Sequence, residues 1–380
     1  MDKCIIIPDS FKGTMTSPEV CSIMSAAVKR RFPGCQVITI PIADGGEGTV
    51  DCFLKAKAGE KVTLTVQDAY GGPITGFYGR FGDTAVVEMA AVAGMVSNTR
   101  RDTLAASTYG VGQLIAHAIG SGATTILLGL GGSCTSDAGC GMAAALGMRF
   151  FDADGRAFIP TGGTLDQVAK ADRTEIDHRL SGIRICCMCD TNKVMYGPDG
   201  AAYVYAPQKG AGPEEVEILD GNLRKFATFI RDELGIDVSM IQGGGAAGAM
   251  GAGAVAFMGA ELKPGIGYIM DMVGFDEQLQ GTDYVFTGEG SFDVQSLSGK
   301  AVCGVAERAA AQHVPVIVIA GRNKSGRSVL PEHGIAAIYE TARTDDFAVI
   351  QKTCREDLAS TMDTVLAKIA LAPIVDRDIQ

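Results

Sequence analysis

The sequence predicts an α/β protein with a mainly parallel sheet and a second α/β domain inserted in the chain. Short apolar runs closed by turn residues alternate with stretches of helical spacing, which is the pattern of βαβ units. Residues 61–89 interrupt this alternation with three consecutive strand-like runs and a Gly-Gly-Pro turn, which predict antiparallel pairing. A chain of 380 residues is long enough for two domains. We expect one domain over 1–65 and 280–380, which contains both termini, and an inserted domain over 66–279.

Strands are predicted at short runs of Ile, Val and other apolar residues that end in Gly, Pro, Asp or Asn. In chain order these runs are 4–7, 37–42, 61–66, 76–81, 85–89, 124–130, 183–189, 284–286, 314–319 and 335–339. Several of them lead directly into loops that carry Gly, Ser, Asp or Glu. Ligands in open α/β sheets bind beyond the carboxyl ends of the strands, so these loops are the candidate sites.

Helices are predicted where helical spacing follows a start signal such as Ser17, Pro18 and Glu19. The expected helices cover 17–31, 48–56, 103–119, a segment that ends near 147, 213–233, 248–258, 300–312 and 347–371. The Gly- and Ala-rich stretch 243–260 is too short and too weakly apolar to span a membrane. It predicts a buried helix that other backbone segments approach closely.

Charge and cysteine usage exclude several classes of protein. The formal net charge of −11, without a long basic run, disfavours nucleic acid and membrane surfaces as partners. No secretory signal precedes the first strand, so we expect a cytoplasmic protein whose 11 cysteines are reduced and buried. Cys186 and Cys189 have C-x-x-C spacing but lie in an apolar run without a second ligand pair, which favours a buried strand over a zinc site.

Two acidic, glycine-bearing loops follow the first two strands. Residues 9–13, with the sequence DSFKG, offer a lysine ammonium group and a serine hydroxyl that suit a phosphate. A plain turn with a surface lysine is the alternative. In the second loop Asp44 and Glu47 stand among three closely spaced glycines and are suited to hold Mg²⁺ or to orient a hydroxyl group. Helix capping by these two carboxylates is the alternative there.

The loop after the run 124–130 is the best candidate for binding nucleotide phosphates. Residues 131–137 read GGSCTSD and lead into a predicted helix. Backbone N–H groups of such a loop, with the hydroxyl groups beside them, form a nest for an anion. The loop is not a Walker motif, because no Gly-Lys-Ser/Thr follows, and Cys134 occupies the third glycine position of G-x-G-x-x-G. A capped helix behind a tight turn is the alternative.

Two further loops carry carboxylates at predicted strand ends. Asp190 follows the run 183–189, and this position suits a metal ligand or a general base. Glu289 and Asp293 follow the run 284–286, with Lys300 downstream. Asp and Glu are common in loops, so these residues are informative only in combination with the other candidate loops. The four histidines lie outside all of these loops, which disfavours catalysis by histidine.

Taken in chain order, these motifs resemble those of the bacterial type I glycerate kinases, from about residue 3 to about residue 372. The motifs that carry the resemblance are 9–13, 43–49, 129–141, 207–211, 243–253 and 287–300. The resemblance implies two α/β domains, one flavodoxin-like or Rossmann-like with a parallel sheet and one with a mixed sheet, and an active site in the cleft between them. It also implies phosphorylation of D-glycerate by ATP with Mg²⁺, usually on the 2-hydroxyl, to give 2-phosphoglycerate.

On this basis we expect the candidate residues to divide into four groups. The expected catalytic residues are Lys12, Asp190 and Asp293. The expected glycerate ligands are Asp9, Ser10, Glu289 and Lys300. The expected ATP ligands are Gly131, Gly132, Ser133, Thr135 and Asp137, and the expected Mg²⁺ ligands are Asp44 and Glu47. Asp190 is the expected base for the glycerate hydroxyl, with Glu289 and Asp293 as rival bases or second metal ligands.

Two positions depart from the pattern of the family. Ser136 stands where the family usually has Asn, and Ser291 stands where it usually has Arg. Loss of the Arg removes a planar clamp for a carboxylate or phosphate. A kinase of another small hydroxy or sugar acid, and a non-catalytic sensor of glycerate or nucleotide, are therefore the alternatives. In each case the expected partners are small molecules, and a homo-oligomer is compatible with them.

Overall fold

The computed structural model of the chain describes most of its residues. The described ranges are 1–11, 13–42, 45–293, 301–324 and 334–371. Three of the candidate residues lie outside the described residues, namely Lys12, Asp44 and Lys300.

The chain forms two compact units. Unit 1 comprises Met1–Asp44, Lys55–Lys57 and Ile266–Gln380, and unit 2 comprises Gly45–Leu54 and Ala58–Gly265. The boundary expected after residue 65 falls inside a strand of unit 2, and the one expected after residue 279 follows a helix of unit 1.

The described residues form both parallel and antiparallel strands, and their helices range from four to 25 residues. The strands are β1 Lys3–Ile6, β2 Gln36–Thr39, β3 Glu60–Gln67, β4 Pro73–Phe81, β5 Thr84–Glu88, β6 Thr125–Gly129, β7 Arg149–Phe151, β8 Ala157–Phe158, β9 Lys170–Asp172, β10 Arg184–Met188, β11 Glu261–Lys263, β12 Tyr284–Phe292, β13 Val316–Asn323 and β14 Ile335–Glu340. The α-helices are α1 Ser17–Arg31, α2 Thr49–Ala56, α3 Ala90–Ala93, α4 Tyr109–Gly120, α5 Cys140–Ala145, α6 Thr174–Arg179, α7 Ala201–Tyr205, α8 Pro213–Leu234, α9 Ala246–Met258, α10 Gly265–Val273, α11 Phe275–Leu279, α12 Ala301–Ala310 and α13 Phe347–Leu371. Short 3₁₀ helices occupy Leu165–Gln167 and Pro207–Lys209.

Unit 1 is built on a parallel sheet with the strand order β14-β13-β12-β1-β2. Within this unit the second strand lies on one side of the first, and the later three lie on the other side. This is the flavodoxin-like order, so that prediction is confirmed. Helices α1 and α13 share a core cluster with β1, β12 and β13. The strand order changes direction between β1 and β12, because β2 lies on the other side of β1 from the later strands. Ligands in doubly wound sheets bind at such a switch point.

Unit 2 contains a mixed sheet with the order β11-β10-β6-β5-β4-β3. Strands β5, β6, β10 and β11 are parallel, whereas β3, β4 and β5 form the predicted antiparallel meander. Glu88, Gly129 and Met188 are in register at the carboxyl ends of β5, β6 and β10. The loops that follow these three strands therefore leave the same edge of the sheet. A separate small sheet has the order β8-β7-β9.

The core of unit 2 surrounds the small-residue helix α9, which is buried as predicted. Close backbone contact requires glycine there, because a Cβ on Gly253 would lie 1.8 Å from the carbonyl oxygen of Ala138. All 11 cysteines are thiols outside any disulfide, and all but the half-buried Cys189 are buried, as expected. In the described ranges, no helix combines the length and the apolarity needed to cross a membrane.

Two predicted elements differ more than the others from their bounds in the structure. β12 extends to Phe292, so Glu289 lies within a strand and not in the loop expected after residue 286. Gly288 permits this extension, because a Cβ there would lie 2.0 Å from the carbonyl oxygen of Ile319 on the paired strand. The helix expected over 103–119 begins only at Tyr109. The preceding Thr108 is held by the buried carboxylate of Asp137 through its N–H and hydroxyl groups, at 2.7 and 2.8 Å.

Candidate active site

The switch point of unit 1 brings together candidate residues from two distant parts of the sequence. Asp9 and Ser10 follow β1, and the N–H of Asp9 donates to the carbonyl of Gly288 on β12 at 2.8 Å. The N–H of Ser10 donates to Oδ1 of Asp9 at 2.6 Å. The Thr287 hydroxyl donates to the carbonyl of Ile7 at 2.8 Å and ties the two strands further. The loop after β1 is thus fixed beside the carboxyl half of β12.

Glu289 and Asp293 lie at the same edge of unit 1. Glu289 is 9% exposed, and Asp293 is half-buried directly after the end of β12. Burial, together with the carboxylates of Glu307 and Glu289, raises the pKa of the Cys303 thiol to about 11. Glu289 therefore faces the side of the sheet on which α12 packs. This edge presents carboxylates and a hydroxyl group, which are suited to bind the hydroxyl groups of a small acid.

In unit 2 the loop after β6 forms an open nest of backbone N–H groups. Gly132 has a φ of +74°, which reverses the chain direction there. The N–H of Gly131 donates to the carbonyl of Gly45 at 3.0 Å, and that of Cys134 donates to the carbonyl of Ala93 at 2.9 Å. In the described part of the chain, no hydrogen bond uses the N–H groups of Gly132 and Ser133. These groups are available to an anion.

Glycines bring the loop at residues 45–47 against this nest. A Cβ on Gly129 would lie 2.2 Å from the carbonyl oxygen of Gly45, and a Cβ on Gly131 would lie 2.6 Å from Cα of Gly46. Only glycine allows backbones to approach so closely. Oε1 of the exposed Glu47 lies 3.4 Å from the point where a Cβ of Gly132 would be. The Glu47 carboxylate is therefore beside the nest.

The buried Glu88 anchors the loop that carries Glu47, and the sequence reasoning missed it. Its carboxylate accepts hydrogen bonds from the N–H groups of Gly48 and Val50, at 3.4 and 3.0 Å. Burial raises the pKa of this carboxyl group, although both hydrogen bonds oppose the shift. Helix α2 starts at Thr49, so the acidic residue that holds its first turn is Glu88 and not Glu47. An acid at the end of an apolar run, here 84–88, is the signal that identifies such a residue.

Asp137 is fully buried, and its carboxylate is fully used within the protein. It accepts hydrogen bonds from the N–H and hydroxyl of Thr108 and from the N–H groups of Gly139 and Gly141. A carboxylate has about four acceptor positions, so these four bonds leave none for a ligand. Burial raises the pKa of Asp137 against the effect of these bonds. The contacts of Asp137 fix the start of α4 and α5.

Thr135 and Lys209 form a second buried polar contact behind the nest. The Lys209 ammonium group donates to the carbonyl of Thr135 at 2.6 Å, and both side chains are inaccessible to bulk water. Among the described residues the Thr135 hydroxyl has no hydrogen-bond partner. Burial lowers the pKa of Lys209 to about 8, against the opposing effect of Cys134 and Asp137. The motif 207–211 had been noted in the sequence, but its lysine was not among the candidate residues.

Asp190 follows β10 at the edge of the sheet from which the nest also emerges. It is exposed, and its Oδ1 accepts a hydrogen bond from the N–H of Gly265 at 3.2 Å. The adjacent loop approaches Cys189 closely at Gly243, where a Cβ would lie 2.9 Å from the Cys189 sulfur. Asp190 is thus a solvent-exposed residue that a hydrogen bond holds in place. It follows β10, which pairs with the strand β6 that precedes the nest.

The carboxylates fit a magnesium ion held partly by phosphate. In the ranges that the structure covers, no three His, Cys, Asp or Glu side chains are grouped closely enough to hold a metal by themselves. Magnesium in phosphate-transferring enzymes usually has one or two carboxylate ligands, with water and phosphate oxygens completing its shell. Glu47 beside the nest meets that requirement.

Comparison with known proteins gives a consistent result. The family model described as the glycerate kinase family matches residues 4–370. A glycerate kinase from Bacillus cereus is 39% identical over 370 residues, which cover 96% of this chain and 97% of the relative. A glycerate 2-kinase from Escherichia coli K12 is 39% identical over 341 residues, or 89% of this chain and 90% of the relative. A crystal structure described as glycerate kinase 2 from Salmonella typhimurium LT2 has a TM-score of 0.83 and 37% identity, and it covers 97% of this chain and 98% of its own.

Proposed function

We propose that this chain, which belongs to the glycerate kinase family and is a kinase, phosphorylates D-glycerate on its 2-hydroxyl group with ATP and Mg²⁺. The product is then 2-phosphoglycerate. The observation that carries the proposal is the nest after β6, with open N–H groups at Gly132 and Ser133 and the Glu47 carboxylate beside it. Phosphoryl transfer depends on positioning and on neutralisation of charge, and these groups provide both.

The nest of unit 2 is the proposed phosphate site. The N–H groups of Gly132 and Ser133 donate to phosphate oxygens, and the buried Thr135 hydroxyl is a further donor that the described residues leave unused. Gly131 and Asp137 shape the loop through their own hydrogen bonds. We assign Mg²⁺ to Glu47 and Asp44. When bound, the metal offsets negative charge on the phosphate oxygens.

Asp190 is the proposed base. The carboxylate accepts the proton of the glycerate hydroxyl while that oxygen forms its bond to phosphorus, and ADP departs with the electrons of the broken bond. The hydrogen bond from Gly265 holds Oδ1 of this solvent-exposed residue in place. Asp293 and Glu289 are the rival bases.

The edge of unit 1 is the proposed glycerate site. Asp9, Ser10 and Glu289 are suited to hydrogen bonds with the two hydroxyl groups of glycerate. The glycerate carboxylate and the transferred phosphate require positive charge, and Lys12 and Lys300 are assigned to supply it. Lys12 and Lys300 lie outside the described ranges, and the order of the motifs along the chain supports their assignment.

One observation favours a kinase of another small hydroxy acid as the second candidate. Ser291 stands at the position where the family pattern usually has an Arg. Arg322 on the neighbouring strand β13 is in register with Ser291. Arg322 does not replace the missing clamp, because its guanidinium is held by Glu340, Asp345 and the carbonyl of Thr344. A substrate with a different acid group is compatible with a serine at this position.

A panel of hydroxy acids separates these functions. ADP release is measured with ATP and Mg²⁺ in the presence of D-glycerate, L-glycerate, lactate, tartronate and small sugar acids. The proposal predicts the highest kcat/KM for D-glycerate. A higher value for another acid establishes the second candidate. ADP release with none of them, together with ATP or glycerate binding in equilibrium dialysis, indicates the sensor.

A further inference from the structure

Lys209 is a buried cation that the assignments above leave without a role. It ends the 3₁₀ helix Pro207–Lys209, and the whole residue is 3% exposed. Its ammonium group donates to the carbonyl of Thr135 at 2.6 Å. Burial of an ammonium group costs free energy that a single neutral carbonyl acceptor only partly offsets. Stability alone therefore does not account for a lysine at this position.

The hydrogen bond determines how one peptide group of the nest is oriented. In a trans peptide the C=O and the N–H point in opposite directions. Lys209 holds the carbonyl of Thr135, so the N–H of Ser136, in the same peptide group, points away from Lys209. In the ranges described, no hydrogen bond uses that N–H. The contact thus sets the direction of the Ser136 N–H, which lies three residues after Ser133 in the same loop.

The groups around Lys209 that can carry a charge include a carboxyl group, a thiol and a guanidinium group. The nearest acidic groups are Asp137, whose carboxylate accepts four hydrogen bonds, and the Cys134 thiol, whose pKa burial raises to about 11. Arg101 packs against Gly210, and its guanidinium donates to the carbonyls of Met95 and Asn98. A cation behind a phosphate-binding loop strengthens the attraction of that loop for an anion.

We propose that Lys209 is a positioning residue for the phosphate loop, which orients the Thr135–Ser136 peptide and supplies positive charge behind the open N–H groups that bind ATP. This inference rests on the proposed use of ATP. It does not depend on which acid accepts the phosphate.

A pH effect follows from the buried position of this lysine. The pKa of Lys209 is lowered to about 8 by burial. Deprotonation above that pH removes the positive charge and weakens the hydrogen bond to the carbonyl of Thr135. The dissociation constant for ATP therefore increases by up to about tenfold for each pH unit. The phosphates of ATP are already fully ionised there and add no titration of their own.

The test compares three variants of the full chain. Lys209→Met removes the charge with little change in volume, Lys209→Arg keeps a charge at all pH values, and Lys225→Met removes an exposed lysine of the same unit. The dissociation constant for ATP is measured by equilibrium dialysis from pH 6.5 to 9.5, and kcat and KM are measured at pH 7. Melting curves show that each variant is folded.

We expect Lys209→Met to weaken ATP binding by about tenfold or more at pH 7, which is typical for a lost charged hydrogen bond. The KM for glycerate should stay within about twofold, because the change acts on the nucleotide loop. The increase in the dissociation constant above pH 8 should occur in the wild type and in Lys225→Met, and it should be absent in both Lys209 variants.

ATP affinity of Lys209→Met equal to that of the wild type, with the same pH profile, overturns the inference. If Lys209→Met fails to fold, the pH profiles of the wild type and Lys209→Arg decide alone, and identical profiles overturn it. A wild type that binds no ATP refutes this inference and the proposed nucleotide together. A wild type that binds ATP but leaves glycerate unphosphorylated refutes only the proposed acceptor, and the dialysis results still test Lys209.

Discussion

Asp190 is the residue on which the chemical step of the proposed reaction depends. Asp190 is exposed after the end of β10, and its Oδ1 accepts a hydrogen bond from the N–H of Gly265. An amide in its place keeps the shape but cannot accept the hydroxyl proton. We expect Asp190→Asn to lower kcat by a factor of about 10² or more with little change in the KM for glycerate, as measured by ADP release.

The matched control for this prediction is Asp199→Asn, which changes an exposed carboxylate of the same unit that pairs with Lys193. It should leave kcat unaltered. If Asp190→Asn retains a kcat within a few-fold of the wild type, Asp190 is not the base. Glu289→Gln and Asp293→Asn then become the decisive variants.

The positions of single candidate residues were predictable only where a loop follows a strand. Glu47 was predicted from its glycine-rich loop, and the structure places its carboxylate beside Gly132. Glu88 and Lys209 were missed, because their burial depends on segments that are far away in the sequence. Asp137 was expected to bind ATP, but its carboxylate accepts four hydrogen bonds, which come from Thr108, Gly139 and Gly141. A sequence pattern does not reveal such pairings.

At the scale of elements, glycines in two helices provide a test of the close packing around α9. A Cβ on Gly253 would lie 1.8 Å from the carbonyl oxygen of Ala138, whereas Gly221 of α8 has open space around it. We expect Gly253→Ala to lower the free energy of unfolding by about 2 kcal/mol or more, because the backbone must move. Gly221→Ala should raise it by about 0.5–1 kcal/mol through helix propensity. Urea denaturation measures both, and similar effects of the two changes would contradict the packing described for α9.

The start of α1 provides a pH-dependent test. Glu19 accepts hydrogen bonds from the N–H of Thr16, from Arg355 and from the Thr16 hydroxyl, and these bonds lower its pKa to about 2 from a usual 4.5. A carboxyl group with a lowered folded-state pKa stabilises the protein above its unfolded-state pKa. That contribution is lost as the pH falls from 4.5 towards 2.

We therefore expect Glu19→Gln to lower the free energy of unfolding at pH 7 by roughly 0.5 kcal/mol, a value reduced by solvent screening at a side chain that is 41% exposed. The difference from the wild type should shrink as the pH is lowered from 5 to 3. Glu217→Gln, on the exposed side of α8, is the control and should show no such trend. A difference that is constant with pH would exclude the charge of Glu19 as its cause.

Element types were predicted better than element ends. The helix α1 over Ser17–Arg31 and the meander of β3, β4 and β5 follow from local patterns, although the capping residue of α1 is Thr16. The true length of β12 depends on pairing with β13, which glycines at 288 and 321 permit. The short strands β7, β8 and β9 have two or three residues each, too few for a periodic pattern to be recognised.

At the scale of the whole molecule, the α/β class and the inserted segment were predictable from the alternation of apolar runs. The strand orders were not, because the pairing of β1 with β12 joins residues about 280 positions apart in the sequence. That pairing creates the switch point beside Asp9 and Glu289. In unit 2, the pairing of β6 with both β5 and β10 places the loops of Glu88, Gly132 and Asp190 at one edge.

The identity of the phosphorylated product tests the central claim most directly. The protein is incubated with ATP, Mg²⁺ and D-glycerate, and the phosphorus and proton NMR spectra of the product are recorded. The account predicts a phosphate ester coupled to the single proton on C2, as in 2-phosphoglycerate. Coupling to the two protons on C3, or no new phosphate ester at all, would contradict it.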